Sequence, residues 1–185
     1  MSTYWEPRLG VFVVQVLPGE LHVTNQNVVI TTVLGSCVSA CVRDTRRGIG
    51  GINHFMLPEV LRGDEGDSAR YGVYALECLV NQVLGSRGQR ADLEVKVFGG
   101  GRVIEGGGDV GRGNIELVRR FFAAEGIAIT AEDLGERLAR RIRYWPTTGR
   151  AQVHRIPMAR AVEVVASEQR AARAVVAAPG SVELF

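Results

Sequence analysis

The stretch that decides the fold is VVITTVLGSCVSACVRD, residues 28–44, and it is closely followed by GIGGINHF, residues 48–55. β-Branched residues dominate both segments, and glycine, serine and aspartate interrupt them, which is typical of short strands separated by turns. We therefore predict strands over residues 28–34, 38–43 and 49–55. Three successive strands with tight connections favour an antiparallel or mixed sheet over a strict alternation of strands and helices.

The rest of the chain supplies two helices and further strands. Residues 71–84 and 115–125 carry apolar side chains at helical spacing, and Asn114 is a candidate cap for the second helix. Turn-forming residues predict surface loops over residues 57–70 and 99–114. Further strands are predicted over residues 11–16, 93–98, 127–130, 139–144 and 151–156. The last two of these should form a hairpin. The sequence thus predicts an α/β (α+β) protein with a mixed or antiparallel sheet and flanking helices.

Length, composition and charge exclude several classes of protein. The 185 residues are 46% hydrophobic and 23% charged, as expected for one globular domain over residues 1–185, in which residues 159–185 form a C-terminal helix or tail. With 22 basic and 20 acidic residues, the net charge of +2 gives no sign of a nucleic-acid-binding face. The apolar runs are shorter than a membrane span, and the N-terminus lacks the pattern of a signal peptide. We expect a soluble, cytoplasmic protein that neither inserts into membranes nor binds nucleic acid.

A glycine-rich stretch contains a weak match to a nucleotide-binding motif. Gly106, Gly108 and Gly111 satisfy G-x-G-x-x-G, but the first glycine does not directly follow a predicted strand, as a dinucleotide site requires. The sequence holds no P-loop motif. A structural or substrate-shaping loop is the favoured interpretation.

The cysteines offer a weak match to a zinc-binding pattern. Cys37, Cys41 and His54 are spaced like the opening of a zinc finger, but no fourth ligand follows at a suitable distance. Three cysteines are also an odd and small number for a disulfide framework. Neither a structural zinc site nor a set of disulfides is favoured.

Cys37 and His54 form a more informative pair. Cys37 follows a predicted strand and Gly35-Ser36, and His54 lies near the end of the third predicted strand. A hairpin can place two such side chains together, and an imidazole beside a thiol both lowers the thiol pKa and carries a proton. The alternative is a buried structural cysteine and an ordinary hydrogen-bonded histidine. The spacing alone leaves both interpretations open.

The segments TTVLGSCVSACVRD (residues 31–44) and GIGGINHFMLP (residues 48–58) closely resemble the signature of the CheD family of chemoreceptor glutamine deamidases. The likeness continues through KVFGGGRV (96–103), AEGIAITAEDLG (124–135) and TTGRAQVHRI (147–156). It covers about residues 8–156. The resemblance implies a layered α/β sandwich related to the catalytic domain of the deamidating cytotoxic necrotizing toxins.

The resemblance also implies a reaction and its residues. CheD proteins are cysteine amidohydrolases that convert glutamines of methyl-accepting chemotaxis receptors to glutamate, and they can hydrolyse glutamate methyl esters there. By this resemblance the nucleophile is Cys37, the histidine is His54 and the threonine is Thr31. No metal or organic cofactor is implied, and a CheC-type phosphatase binds some members of the family. The rival hypothesis is a noncatalytic adaptor that keeps the fold and docks on receptors or on a phosphatase.

The choice of threonine depends on the faces of the strand. Thr31 and Thr32 are adjacent, so they point to opposite faces and only one can reach His54. The strand can bend at Gly35, so counting back from Cys37 does not decide between them. Thr31 is chosen because the family's threonine usually lies six residues before the cysteine.

The remaining cysteines and histidines are expected to be structural. We predict that Cys41 and Cys78 pack in the core, with Cys41 on a different face from Cys37. His22 and His154 are interpreted as ordinary surface or hairpin residues.

Overall fold

The computed structural model describes residues 1–56, 65–103, 110–157, 161, 163, 164, 166, 168 and 170. The strands in these ranges are β1 (Ser2–Glu6), β2 (Val11–Gln15), β3 (Leu21–Thr24), β4 (Val28–Leu34), β5 (Val38–Asp44), β6 (Ile49–Asn53), β7 (Leu93–Gly99), β8 (Ile129–Leu134), β9 (Ala139–Trp145) and β10 (Arg150–Ile156). The α-helices are α1 (Glu65–Leu84) and α2 (Val110–Ala124), and a short 3₁₀ turn spans Arg90–Asp92. Within the described residues, no helix is both long and apolar enough to cross a membrane.

The strands form two five-stranded sheets. The first has the order β1-β2-β4-β9-β10 and the second has the order β3-β6-β5-β7-β8. Strands β2 and β4 pair in parallel, as do β7 and β8, while the other pairs are antiparallel. Both sheets are therefore mixed, and the predicted α/β class with flanking helices is confirmed.

Two apolar clusters separate three layers. The helix-side core lies between the helices and the second sheet, and its largest members include Phe55, Leu76, Leu79, Leu117, Phe121 and Phe122. The inter-sheet core lies between the two sheets and contains Val14, Val16, Val28, Ile30, Leu34, Cys37, Cys41, Ile52, Phe98, Ile142 and Tyr144. The order of layers is helices, second sheet, first sheet, so the second sheet is covered on both faces.

The chain changes sheets between β4 and β5. The successive strands were expected to lie in one sheet, but β4 pairs with β2 and β9, whereas β5 pairs with β6 and β7. Residues 35–37 make the crossing between the sheets. The β5–β6 hairpin then returns the chain, and a bridge between Val38 and Phe55 closes its open end. The residue before β5 and the residue before Phe55 are thereby brought together.

Both helices begin earlier than predicted. Residues 65–70 belong to α1 rather than to a loop, while residues 57–64 lie outside the described range. Helix α2 begins at Val110, so Asn114 is inside the helix and does not cap it. Position 111 of α2 requires glycine, because a Cβ there would lie 2.6 Å from the carbonyl oxygen of Gly100. This glycine serves close packing rather than a turn.

Other expectations concern segments at the edges of the fold. Strands β1 and β3 were not predicted, because both are short and lack a clear alternation of buried and exposed residues. Gly106 and Gly108 of the weak nucleotide motif lie outside the described residues. In the predicted C-terminal helix or tail, the described positions from 163 to 170 have helical backbone.

Candidate active site

The cysteine loop, residues Gly35–Cys37, is held in place by its carbonyl groups. The carbonyls of its first and last residues accept hydrogen bonds from the N–H groups of Gly101 and Gly100, each at 2.7 Å. The middle carbonyl accepts a hydrogen bond from Nδ2 of the buried Asn114 at 2.9 Å. With all three carbonyls engaged on one side, the N–H groups of the loop are fixed toward the other side.

Those N–H groups converge on the carboxylate of Glu168, and we call this concave set of donors the amide nest. The N–H groups of Gly35 and Cys37 donate to Oε1 at 2.6 and 3.3 Å, and the N–H group of Ser36 donates to Oε2 at 2.9 Å. The Ser36 hydroxyl also lies 3.1 Å from Oε2. Converging backbone donors of this kind bind oxygen anions.

Glycine is required at two positions around the nest. A Cβ on Gly35 would lie 2.7 Å from Oε2 of Glu168 and 3.1 Å from a methyl group of Val103. Gly99 has a φ of 111°, and a Cβ there would lie 2.2 Å from the carbonyl oxygen of Cys37. Gly99, at the end of β7, therefore allows the backbone to approach the cysteine loop, which is the structural role expected for the described part of the glycine-rich stretch.

The structure brings Cys37 and His54 together in a buried position. Their side chains and that of Glu168 each offer a ligand-type atom within 4.8 Å of the other two. Cys37 is fully buried and His54 is 2% exposed. Nε2 of His54 lies 3.8 Å from Oε1 of Glu168 and has no hydrogen-bond partner among the described residues. An imidazole nitrogen without a partner is thus available beside the thiol.

Thr32 orients the imidazole. Its Oγ1 atom lies 2.8 Å from Nδ1 of His54 and 2.8 Å from the carbonyl oxygen of Val16. A carbonyl can only accept, so the single hydroxyl proton of Thr32 goes to Val16 and the hydroxyl oxygen accepts from Nδ1–H. This assigns the proton of the neutral imidazole to Nδ1 and leaves the lone pair of Nε2 facing the thiol.

The expected contact between Thr31 and the imidazole is wrong. The hydroxyl of Thr31 donates to the carbonyl of Ile142 at 2.8 Å instead. The reason is the parity of β4: Ile30 and Leu34 point into the inter-sheet core, and Thr32 shares their face. The alternation of Ile30 and Leu34 with Thr32 is visible in the sequence, and it would have selected Thr32 rather than Thr31.

Burial and a neighbouring negative charge keep the thiol protonated in this arrangement. Burial, together with the negative charge of Glu168, raises the pKa of Cys37 well above its usual value. Burial also acts to raise the pKa of Glu168, but its interactions with the imidazole of His54, the Cys37 thiol and the N–H of Gly35 lower it overall. The carboxylate is therefore ionised and the thiol neutral near neutral pH.

Cys37, His54 and Glu168 are also the types of residue that bind zinc. This group differs from the one considered from sequence, because Glu168 takes the place of Cys41. The three backbone N–H donors of the amide nest, however, already bind both oxygens of the carboxylate and favour negative charge beside them. The donor set is arranged for an oxygen anion rather than for a cation.

Glu168 was missed by sequence reasoning. It follows Cys37 by 131 residues, in an Ala-, Val- and Arg-rich segment that carries no motif. It lies beside a cavity of about 390 Å³ whose lining also includes Thr32, His54, Arg141 and His154. His154 is exposed, as expected of a hairpin residue, yet it also faces this cavity.

The other two cysteines and His22 differ in how deeply they are buried. Cys41 is 1% exposed in the inter-sheet core, as predicted, but Cys37 belongs to the same cluster, so the prediction of different faces was wrong. Positions four residues apart on an extended chain share a face. Cys78 is only half-buried, and so is His22, whose pKa is lowered by burial. All three cysteines lie in described ranges and are free.

Comparisons with known proteins point to one family. A family model described as "CheD chemotactic sensory transduction" matches residues 56–155. A protein of Halorhodospira halophila named probable chemoreceptor glutamine deamidase CheD is 46% identical, in an alignment that covers all of this chain and 90% of that protein. Proteins with the same name from Hahella chejuensis and Caulobacter vibrioides are each 48% identical, covering 84% and 75% of this chain and 76% and 75% of their own lengths. By this similarity along its whole length, the chain belongs to the CheD family.

Proposed function

We propose that this protein deamidates glutamine side chains of chemoreceptors to glutamate, using Cys37 as nucleophile and His54 as acid and base. The observation that carries the proposal is the meeting, at one buried point, of the Cys37 thiol, Nε2 of His54 and the three N–H groups of the amide nest. The names of the relatives supply the reaction and the class of substrate.

The first half of the reaction forms a thioester. Nε2 of His54 takes the proton of the Cys37 thiol, and the thiolate attacks the carboxamide carbon of the substrate. The negative charge that develops on the amide oxygen is stabilised by the amide nest. The imidazolium then gives its proton to the amide nitrogen, the C–N bond breaks, and ammonia leaves.

The second half consumes one water molecule. Nε2 of His54 removes a proton from that water, whose oxygen attacks the thioester carbon while the nest again holds the oxyanion. The C–S bond breaks, Cys37 recovers its proton, and the substrate keeps a glutamate side chain. Hydrolysis of a receptor glutamate methyl ester would use the same steps with methanol as the leaving group.

Thr32 takes the positioning role in this mechanism, in place of Thr31. Its hydrogen bond to Nδ1 fixes the ring so that Nε2 points at the thiol in both halves of the reaction. An imidazolium formed during the reaction keeps this bond, because Nδ1 stays a donor. Asn114 acts at one remove, since it holds the Ser36 carbonyl and so directs the next N–H into the nest.

Three further expectations belong to the same proposal. Length and composition predict a single catalytic domain over residues 1–185 and a cytoplasmic location. A CheC-type phosphatase binds some members of the family and is a candidate partner. All three stay predictions. A noncatalytic docking protein is the rival.

The test is release of ammonia from cognate chemoreceptor cytoplasmic fragments, with mass spectrometry of the glutamine-containing peptides. We expect the wild type to release ammonia while converting Gln to Glu, and Cys37→Ala to do neither. Cys41→Ala is the matched control, because it removes the other fully buried thiol of the same core. A wild-type protein that binds the fragments and leaves every glutamine intact would contradict the proposal and favour the docking role.

A further inference from the structure

The carboxylate of Glu168 occupies the amide nest as the product of the reaction would. It accepts hydrogen bonds from all three N–H groups of the cysteine loop, and its Oε1 atom lies 3.8 Å from Nε2 of His54. A glutamate side chain is also the product of deamidation. We propose, resting on the function proposed above, that Glu168 binds the active site of its own chain as a product-like occupant and competes with substrate glutamine.

The fit of Glu168 is that of a bound ligand rather than of a surface side chain. The residue is 2% exposed, and both carboxylate oxygens are engaged by donors of the cysteine loop. The carboxylate lies directly against the loop, because a Cβ on Gly35 would be only 2.7 Å from Oε2, and its two oxygens take up all three N–H donors. A substrate carboxamide and the Glu168 carboxylate therefore cannot occupy the nest together.

Occupation by Glu168 also opposes the first chemical step. After burial, the charge of this carboxylate is the next cause of the raised pKa of Cys37. A neutral carboxamide in the same position adds no negative charge beside the thiol. Replacement of Glu168 by substrate would thus both fill the nest with a reactive group and favour the thiolate.

The backbone around Glu168 shows how the site receives a side chain. The described positions 163, 164, 166, 168 and 170 are helical. Ala161, at the start of this segment, is buried in a small cluster with Val103 and Ala139. The side chain that enters the nest is therefore presented from helical backbone anchored at the mouth of the site, and we expect helix-borne glutamines to be the preferred substrates.

If Glu168 is replaced by glutamine, the chain should become a substrate of its own active site. In Glu168→Gln, the thiolate of Cys37 would attack the side-chain carboxamide carbon and ammonia would leave. Water would then hydrolyse the thioester and regenerate the thiol together with Glu168. The net change is one amide and one water converted to one acid and one ammonia.

The main experiment is peptide mass spectrometry of the purified full-length Glu168→Gln variant. We expect residue 168 to be recovered as glutamate, and to stay glutamine in the double variant Cys37→Ala/Glu168→Gln. Gln169, the next residue in the sequence, is the internal control for spontaneous deamidation. Conversion at position 168 alone, dependent on Cys37, is the expected result.

The outcomes separate this inference from the proposed function. If Glu168→Gln keeps its glutamine while the wild type deamidates chemoreceptor fragments, the product-like role of Glu168 is wrong and the deamidase stands. If neither position 168 of the variant nor any glutamine of the chemoreceptor fragments is converted, the proposed function fails as well. Equal conversion at positions 168 and 169, or conversion without Cys37, would also overturn the inference.

A second measurement tests the competition directly. Glu168→Ala should deamidate chemoreceptor fragments with a KM lower by roughly tenfold or more, because an occupant that fills the site nine-tenths of the time weakens the apparent affinity by that factor. Glu163→Ala is the matched control, since Glu163 is an exposed carboxylate that lines the same cavity, while the N–H groups of the nest donate to Glu168. An unchanged KM in Glu168→Ala would overturn the competition.

Discussion

Cys37 and Cys41 lie four residues apart in the inter-sheet core, and both thiols are buried. Burial raises the pKa of each. Their backbones differ: Cys41 is inside β5, where it pairs with Ile52 on one side and Lys96 on the other. The backbone N–H of Cys37 belongs instead to a loop whose carbonyls are held on one side and whose N–H groups point into a cleft.

The difference teaches that burial alone does not distinguish a structural thiol from a reactive one. The surroundings of Cys41 are fixed by the two sheets. Part of what suppresses Cys37 is the side chain of Glu168, which lies on a separate segment and occupies a place that a ligand can take. A cysteine placed like Cys37 becomes reactive when a different group takes the place of the carboxylate. A cysteine placed like Cys41 becomes reactive only when the protein unfolds.

The largest expected effect is the difference in activity between the variants that lack one or the other thiol. Cys37→Ala should lower the deamidation rate by a factor on the order of 10⁴ to 10⁶, as removal of a nucleophile does in other hydrolases. Cys41→Ala should keep the rate within a few fold of the wild type, because its thiol is not part of the group formed by Cys37, His54 and Glu168. Single-turnover deamidation of chemoreceptor fragments measures both, and similar losses in the two variants would mean that the comparison is wrong.

The sequence was sufficient to predict the strands around these cysteines and the proximity of Cys37 to His54. β-Branched runs broken by small residues predicted β4, β5 and β6, and an antiparallel hairpin necessarily brings its two open ends together. That is why the proximity of Cys37 and His54 could be expected from spacing.

The sequence was not sufficient where a contact depends on three-dimensional packing. The orienting threonine was misassigned because the family spacing was preferred to the parity with Ile30 and Leu34. Asn114 was interpreted as a helix cap, although its side chain reaches a carbonyl 78 residues away. Glu168 could not be found at all, since nothing local to its segment indicates which cleft the segment covers.

The second prediction compares the two threonines. Thr32→Val should lower kcat by about 10- to 100-fold, because it leaves Nδ1–H of His54 and the Val16 carbonyl without their partner, at a cost of about 1–3 kcal/mol. Thr31→Val loses a hydrogen bond to the Ile142 carbonyl on the other face and should leave kcat nearly unchanged.

Steady-state kinetics decides between them, and circular dichroism confirms that both variants fold. The opposite ranking, with Thr31→Val the slower enzyme, would return the orienting role to the residue first predicted. Equal kcat values in both variants would mean that no threonine orients the imidazole.

A third prediction concerns the tolerance of each site for a hydroxyl group. Cys41→Ser places the hydroxyl in the apolar inter-sheet core and should lower the free energy of unfolding by about 1–3 kcal/mol. Cys37→Ser should cost less, because its hydroxyl has the Glu168 carboxylate and Nε2 of His54 as acceptors within reach. Urea unfolding of the two variants measures the difference, and an equal loss would show that the Cys37 site is no more polar than the core.

The last prediction concerns the pH dependence of thiol alkylation. A negative charge beside a thiol favours its protonated form, so removing that charge must move the pKa of the thiol downward. The groups that face Cys37 are Glu168 and His54; Glu168→Ala removes the anion and keeps the imidazole. The midpoint of Cys37 alkylation should therefore lie at lower pH in Glu168→Ala than in the wild type. Cys41 is the internal reference, because its pKa is raised by burial and has no contribution from this carboxylate, so its alkylation should stay slow in both proteins. If the midpoint of Cys37 is the same in both, burial alone suppresses the thiol, and the two cysteines differ only in their backbone.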